Sequence, residues 1–401
     1  MRDYPVFYIT KKAEKSARDG HPWVFGEEVT RIEGDYENGD LVDVRSQKGK
    51  YVGTGFVNDN SKIRVRLISD NANDTFDEAF WERRLRYAVE YRRTVMPGGD
   101  FNCCRLIFGE ADQFPGLTVD RYNDLLVAQT LSLGIEKRKD IIFPLLVKIL
   151  REEGEDIRGL YERNDVKIRE LEGMEQYKGW YEADGVEAGG SVLTEIVENG
   201  IRYEVDVENG QKTGFFLDQK YNRQSVARLA AGKTVLDCFT HTGSFALNAA
   251  KGGANKVPAV DVSGEAVSMA RHNAGKNGVA DVMEVVQSDV FQLLDRLTEE
   301  KNRDYDFIIL DPPAFTKSRK TVGNATNGYR EINRKAMKLL PRGGYLATCS
   351  CSHFMREDLF VKMLKDAAKD AHVTLRQIEV RQQAPDHPVL WNVPETFYLK
   401  F

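Results

Sequence analysis

A chain of 401 residues with a net charge of −5, 41% hydrophobic and 30% charged, has the make-up of an ordinary globular protein with room for two or three domains. No apolar run approaches the ~18 residues that span a bilayer. Met1–Thr10 lacks a basic stretch followed by a hydrophobic one, so no secretory leader and no membrane partner is expected, and the protein is expected in the cytoplasm. Cys103, Cys104, Cys238, Cys349 and Cys351 form no C-x₂-C pair, so no metal is expected and the thiols should be free.

Residues 1–75 read as short strands and turns. Leu41-Val42-Asp43-Val44 and Lys62 to Ile68 alternate at period two, punctuated by Gly34, Gly39, Gly49, Gly53 and Gly55, which predicts a small β-rich domain. Asp77 to Val95 is a long helical pattern, acidic early and basic late, stopped by Met96-Pro97-Gly98-Gly99. Residues 101–185 mix a strand at Leu125 to Leu131 with an amphipathic helix at Asp140 to Arg151. Gly185 to Gly190 is the best linker. Asn199-Gly200 and Asn209-Gly210 are hairpin-like signals.

Residues 189–401 carry the clearest pattern. Apolar strands at Thr234–Asp237, Lys256–Val260, Met283–Val286, Phe307–Leu310 and Tyr345–Thr348 alternate with segments of helical length, which predicts a parallel doubly wound sheet. Val373 to Arg381 and Thr396 to Phe401 are candidates for an antiparallel pair closing it.

Ligands of such sheets bind at the carboxyl ends of the strands. The first strand runs into Asp237-Cys238-Phe239-Thr240-His241-Thr242-Gly243-Ser244-Phe245. A nicotinamide site would place G-x-G-x-x-G here for a pyrophosphate; the single Gly243 suits a nucleoside cofactor without phosphates, S-adenosylmethionine, whose carboxylate backbone N–H groups can hold. Asp261-Val262-Ser263 ends the second strand, where an acid can accept ribose hydroxyls, and Asp289 follows the third, near the adenine. Any one of these aspartates alone is as readily a turn or N-cap residue. The cofactor set is therefore Asp237, Phe239, Thr242, Gly243, Ser244, Phe245, Asp261, Ser263 and Asp289, joined by Asp311 and Gln219.

The fourth strand ends Asp311-Pro312-Pro313-Ala314-Phe315, a rigid turn that frees carbonyls and suits a flat base. The fifth ends Thr348-Cys349-Ser350-Cys351-Ser352. A thiol there permits covalent help to the poorly nucleophilic C5 of cytosine: a thiolate adds at C6, C5 attacks the methyl, and loss of the C5 proton releases the enzyme. Either cysteine can equally be a packed strand residue. Gly210 to Gln219, with Lys212, Phe215 and Phe216, reads as a lid over methionine and base or as an inter-domain hairpin. Pro312, Pro313, Phe315, Phe215 and Lys212 form the substrate-side set.

With these residues in view, the chain resembles the bacterial class I methyltransferases of large-subunit ribosomal RNA of the 5-methylcytosine type. The resemblance spans essentially the whole length. It is carried by Gly20-His21-Pro22-Trp23-Val24-Phe25, Gly214-Phe215-Phe216-Leu217-Asp218-Gln219, Thr242-Gly243-Ser244-Phe245, Asp311-Pro312-Pro313, Ser350-Cys351-Ser352, Pro385-Asp386-His387-Pro388 and Glu395 to Lys400. It implies an N-terminal PUA domain (1–75), the central α/β domain (76–188) and a C-terminal Rossmann-like catalytic domain (189–401). It also implies Cys351 as nucleophile, Asp311 as the acid contacting the base, and Asp261 and Asp289 on the cofactor. Better-known RNA cytosine-5 enzymes carry a further Cys where Pro313 stands, which leaves the acceptor of the C5 proton unassigned.

The PUA reading implies an RNA partner, with Lys48, Lys50, Lys62, Arg64 and Arg66 as phosphate contacts or as ordinary solvated surface. A homodimer is a further expectation. The rivals are a guanine N-methyltransferase, which would not need Cys351, and a non-catalytic RNA-binding or ribosome-assembly factor.

Overall fold

The computed structural model describes residues 3–316 and 318–401. The chain divides into two compact units, and neither is continuous in sequence. One comprises Met1–Ile196, Val205–Leu217 and Pro385–Thr396; the other comprises Val197–Glu204, Asp218–Ala384 and Phe397–Phe401.

The first unit holds two sheets. Its N-terminal sheet has six strands in the order Trp23–Phe25, Ile63–Ser69, Tyr51–Val57, Leu41–Ser46, Val6–Ile9 and Val29–Glu33. Phe7, Ile9, Val24, Val42, Val44, Val57 and Val65 bury its core. One helix, Lys11–Arg18, interrupts the expected run of strands. Thr10 caps it by accepting from Ala13 N at 3.2 Å, and only Ala13 is buried, so the helix carries almost no apolar periodicity to be read. The helix Glu78–Val95 begins at an Asp77 cap that accepts from Phe80 N at 3.0 Å. A five-stranded sheet follows, in the order Tyr177–Tyr181, Gly159–Asn164, Leu125–Thr130, Leu117–Tyr122 and Cys103–Phe108, with helix Lys139–Glu152.

The two Asn-Gly signals part company. Asn199 (φ +54°) and Gly200 (φ +74°) turn the two-stranded sheet Leu193–Glu198/Ile201–Asp206, with the paired positive φ of a type I′ turn. Asn209-Gly210 makes no hairpin. The Asp206 carboxylate accepts from Glu208 N and Asn209 N, both at 2.9 Å, and its carbonyl accepts from Gly210 N, which winds the chain into a tight loop.

The second unit is built on five parallel strands: β1 (Val235–Cys238), β2 (Val257–Asp261), β3 (Met283–Gln287), β4 (Phe307–Leu310) and β5 (Tyr345–Thr348), in the order 3-2-1-4-5. Its helices are α1 (Lys220–Leu229), α2 (Ser244–Lys251), α3 (Gly264–Lys276), α4 (Val290–Glu299), α5 (Val322–Leu339) and α6 (Glu357–Ala371). Leu236, Cys238, Val260, Ile308 and Leu310 bury one sheet face against Leu293, Leu294 and Leu297 of α4 and Ile332, Ala336 and Leu339 of α5. Such near-continuous apolar strands are what a sheet covered on both faces requires.

The expected closing pair of strands does not form as such. Residues 373–381 and 397–399 carry no regular strand. Single antiparallel exchanges replace it: Arg381 and Phe401 trade backbone hydrogen bonds at 2.9 Å, and Ser350 and Lys400 trade them at 2.9 and 3.0 Å. The chain end is thereby held beside the residues that follow β5. No helix is long and apolar enough to cross a membrane, among the described residues.

Candidate active site

The carboxyl ends of the strands gather the polar residues singled out in the sequence. Asp237 is fully buried on β1. Its Oδ2 accepts from Thr240 Oγ1 (2.5 Å) and from Ala246 N in the first turn of α2 (2.9 Å), so one carboxylate ties the post-β1 turn to the helix it feeds. Its Oδ1 has no hydrogen-bond partner among the described residues, and neither has the buried Thr242 Oγ1. Burial, reinforced by the charges of Asp311 and Asp261, pushes the Asp237 carboxyl up to about 7.

The turn itself is left-handed at alternate residues: Phe239 (φ +65°), His241 (φ +49°) and Gly243 (φ +84°). At Gly243 the requirement is steric as well, since a Cβ would lie 2.7 Å from Met283 Cε and 3.1 Å from Ala270 Cβ. Within the turn, Thr240 N donates to Val260 O (2.9 Å) and Gly243 N to Thr240 O (2.8 Å), which fixes its shape. His241 N donates to Asp261 Oδ2 (2.9 Å) and Ser263 N to Asp261 Oδ1 (3.0 Å), which fixes the half-buried Asp261 at the end of β2. Burial holds the His241 imidazole down at about 4, so it is neutral at physiological pH.

Two expected cofactor residues have structural duties. Ser263 caps α3 through Ala266 N (3.3 Å), and Asp289 caps α4 through Gln292 N (3.0 Å). Phe245 is 3% exposed and stacks on Phe401, with ring centroids 6.1 Å apart. Ser244 is buried and its carbonyl accepts from Asn248 Nδ2 (2.8 Å).

Asp311 follows β4 and Cys349–Cys351 follow β5. The pairing Leu310↔Thr348, continued by Cys349 N donating to Leu310 O (2.8 Å), makes these two strand ends neighbours. Both Asp311 oxygens accept from Gln219 Nε2 at 3.2 Å, and the Cys349 thiol hydrogen-bonds the same carboxylate. Gln219 is oriented by Asn222, whose Nδ2 donates to Gln219 Oε1 at 2.6 Å. Burial, then the Asp218 charge, pushes Asp311 up to about 7, and burial pushes Cys349 well up. Cys349 is buried in this network, whereas Cys351 is half-exposed. Pro312 is buried and Pro313 exposed, and Phe315 packs on Tyr329 with centroids 4.5 Å apart.

Lys212 and Phe215 fall in the first unit. Lys212 is exposed at φ +59°. Phe215 is 4% exposed, with its carbonyl and amide both bonded to the Tyr122 hydroxyl at 3.0 and 3.1 Å. Of the expected phosphate contacts, Lys48, Lys50 and Lys62 are exposed. Arg64 instead pairs with Asp59, and Arg66 bonds Glu172 at 2.7 Å with an 11% exposed side chain. Those two arginines hold the first unit together.

Sequence reasoning missed Thr240, Asn222, Tyr329 and Lys400. The first two lie near marked motifs, and their polar character next to Asp237 and Gln219 was available. Tyr329 and Lys400 reach the site through tertiary contacts with Ser350, the Tyr329 hydroxyl accepting from Ser350 Oγ at 3.1 Å, and no local spacing marks them.

A 3-2-1-4-5 parallel sheet, with acids at the ends of β1, β2 and β4 and one glycine in a left-handed turn, defines a doubly wound methyltransferase. Two buried oxygens without partners at that turn, Asp237 Oδ1 and Thr242 Oγ1, fit a polar cofactor such as S-adenosylmethionine. Residues 174–394 match the S-adenosylmethionine-dependent methyltransferase family, and residues 7–70 match a PUA-like domain. The chain belongs to the S-adenosylmethionine-dependent methyltransferase family, and S-adenosylmethionine is its cofactor. It is 41% identical over 397 residues to Ribosomal RNA large subunit methyltransferase I of Aeromonas salmonicida, covering 98% of this chain and 97% of that one. The protein of that name from Klebsiella pneumoniae (strain 342) is 38% identical over 398 residues, covering 99% and 97%. A solved structure described as a SAM-dependent methyltransferase from Streptococcus mutans shares the fold at TM-score 0.80, with 22% identity and 98% of each chain covered.

Proposed function

We propose that the protein methylates C5 of a cytosine in large-subunit ribosomal RNA, with Cys351 as nucleophile and Asp311 as the acid that contacts the base. The observation that carries this reading is a half-exposed thiol beyond β5, next to an Asp-Pro-Pro turn beyond β4. The relatives' shared name supports ribosomal RNA as the substrate. When bound, the cofactor supplies an electrophilic methyl group.

The residues of the chain divide the remaining work. Asp237, Phe239, Thr242, Gly243, Ser244, Phe245, Asp261, Ser263, Asp289 and Gln219 form the cofactor side: the turn receives the carboxylate and Asp261 the ribose. Pro312, Pro313 and Phe315 form the substrate side. The Cys351 thiolate adds to C6. The displaced π electrons are delocalised toward N3, where Asp311, carrying a proton near pH 7, donates it. C5, made carbanion-like, would then accept the methyl group the cofactor supplies. A base takes the C5 proton, the C5–H pair reforms the C5=C6 bond, the thiolate leaves, and N3 returns its proton to Asp311.

The domain division 1–75, 76–188 and 189–401, a cytoplasmic location and a homodimer belong to the same reading. Limited proteolysis and light scattering test the first and last.

The decisive experiment is methyl transfer with labelled cofactor to unmodified large-subunit RNA, comparing the parent with Cys351→Ala and Cys349→Ala. The expected result is label in 5-methylcytidine that disappears with Cys351→Ala and persists with Cys349→Ala. Label in a guanine, or activity indifferent to Cys351→Ala, would overturn the covalent mechanism and favour transfer to a ring or exocyclic nitrogen.

A further inference from the structure

Among the described residues, three lysines of the second unit are buried, and Lys335 and Lys400 contrast in what meets the ammonium. Lys335 is met by carboxylates, Asp295 at 2.6 Å and Glu331 at 2.7 Å. Lys400, 3% exposed, donates to two neutral carbonyls, Ser352 O and Tyr398 O, both at 2.6 Å, and makes no ion pair with a described carboxylate. A buried cation without an anion is costly, and such cations are ordinarily paired or discharged. Its ammonium is bonded to the carbonyl of the residue that follows Cys351, and negative charge on Cys351 and on Glu357 at the start of α6 favours the ammonium form. The backbone exchange between Ser350 and Lys400 holds the chain end in register with the Cys349–Ser352 segment, so this neighbourhood is fixed by the fold.

We propose that Lys400 is a positioning residue for methyl transfer, its ammonium holding Cys351 as the thiolate. An ammonium has three N–H donors; two are committed to carbonyls, one of them that of Ser352, the residue next to Cys351, which leaves the third for the thiolate. The proton leaves Sγ for water, and nothing is oxidised or reduced. Because the thiolate is the nucleophilic form, a neighbouring cation raises its fraction near neutral pH. Tyr329 of α5 and Cys349, which also act on Cys351, are both neutral at pH 7. Burial lowers Lys400 itself to about 8, so it is charged through the working range and loses its charge above it.

This inference rests on Cys351 being the nucleophile, but its test does not. The full-length parent, Lys400→Gln and Lys400→Arg are alkylated with iodoacetamide between pH 5 and 10, and the Cys351 peptide is quantified by mass spectrometry. Lys400→Gln retains amide donors for the two carbonyls and removes the charge. Its Cys351 alkylation midpoint should rise by about one pH unit, and methyl transfer at pH 7 should fall about tenfold with the KM for RNA unchanged. Lys400→Arg should keep the low midpoint. A midpoint unmoved in Lys400→Gln overturns the proposal, as does one displaced equally in both variants. If Cys351→Ala stays active while Lys400→Gln still moves the midpoint, the nucleophile assignment falls and the ion pair stands.

Discussion

Asp237→Asn isolates the electrostatic design of the cofactor turn. Asp237 is fully buried, and burial raises its carboxyl from the ordinary 3.8 to about 7. A group whose folded pKa is raised contributes its full stability below the unfolded value and loses it as pH rises through the folded one. At about 1.36 kcal/mol per tenfold change in proton affinity, ionised Asp237 costs the ligand-free fold about 4 kcal/mol at pH 8 and less than half of that at pH 5. Asparagine keeps an oxygen for Thr240 Oγ1 and Ala246 N, but sets an amide where Oδ1 has no partner. That unmet donor costs about 1–3 kcal/mol at every pH. The variant should therefore gain about 2–3 kcal/mol on the parent between pH 5 and pH 8 in urea unfolding, while its calorimetric affinity for S-adenosylhomocysteine falls at least tenfold. A stability difference independent of pH, or undiminished affinity, would refute the assignment of that burial cost to the cofactor site.

Gly243→Ala forces a side chain into φ +84° and against Met283 and Ala270. Left-handed strain and overpacking together should cost about 2–4 kcal/mol, visible as a lowered Tm with weakened cofactor binding. Arg223→Met breaks the buried Arg223–Glu198 pair, 2.7 Å apart with side chains 2% and 0% exposed; the stranded carboxylate should cost about 3–5 kcal/mol in urea unfolding. Replacing Lys48, Lys50 and Lys62 together by alanine should flatten the salt dependence of RNA binding, the slope falling by about one for each phosphate no longer neutralised. Arg66→Ala, by contrast, should lower Tm and leave that slope unchanged, since Arg66 is held by Glu172.

What could be read in advance follows from the range of each interaction. The five strands of the parallel sheet were legible to within a residue or so because burial on both faces leaves an uninterrupted apolar signature. The placement of Asp237, Asp261 and Asp311 at or just beyond the strand ends was legible because it follows from the strands themselves. Helix Lys11–Arg18 was not, since its burial rests on one alanine. Nor was the interleaving of the two units: segment 385–396 rejoins the first through Asp386, which accepts from Arg105 N at 2.8 Å, and through Pro385 O, which accepts from Tyr91 Oη at 3.0 Å. Hydrogen bonds between residues so distant in sequence leave no periodicity behind. Asn199-Gly200 and Asn209-Gly210 are the same dipeptide, and the carboxylate of Asp206 decides between them by capturing the second loop.

The raised carboxyls of the site share a direction. Asp237 and Asp311 are carboxyls held in surroundings that disfavour their charge, and both are raised to about 7. Both therefore stand at the point where binding of a cationic molecule draws off a proton. S-adenosylmethionine carries such charge on its sulfonium and amino groups, so its arrival should favour the carboxylate of Asp237 at the cofactor turn. A neutral base should leave Asp311 protonated and able to donate. The two carboxyls begin with similar proton affinities, and under the proposed mechanism the ligands separate their roles, one becoming an anion for the cofactor and the other staying an acid for the base. Proton release on cofactor binding, measured by calorimetry in buffers of different ionisation enthalpy at pH 7, should accordingly approach one-half per site and vanish in Asp237→Asn. Release that persists in that variant would place the responsive carboxyl at Asp311 and reverse the division of labour.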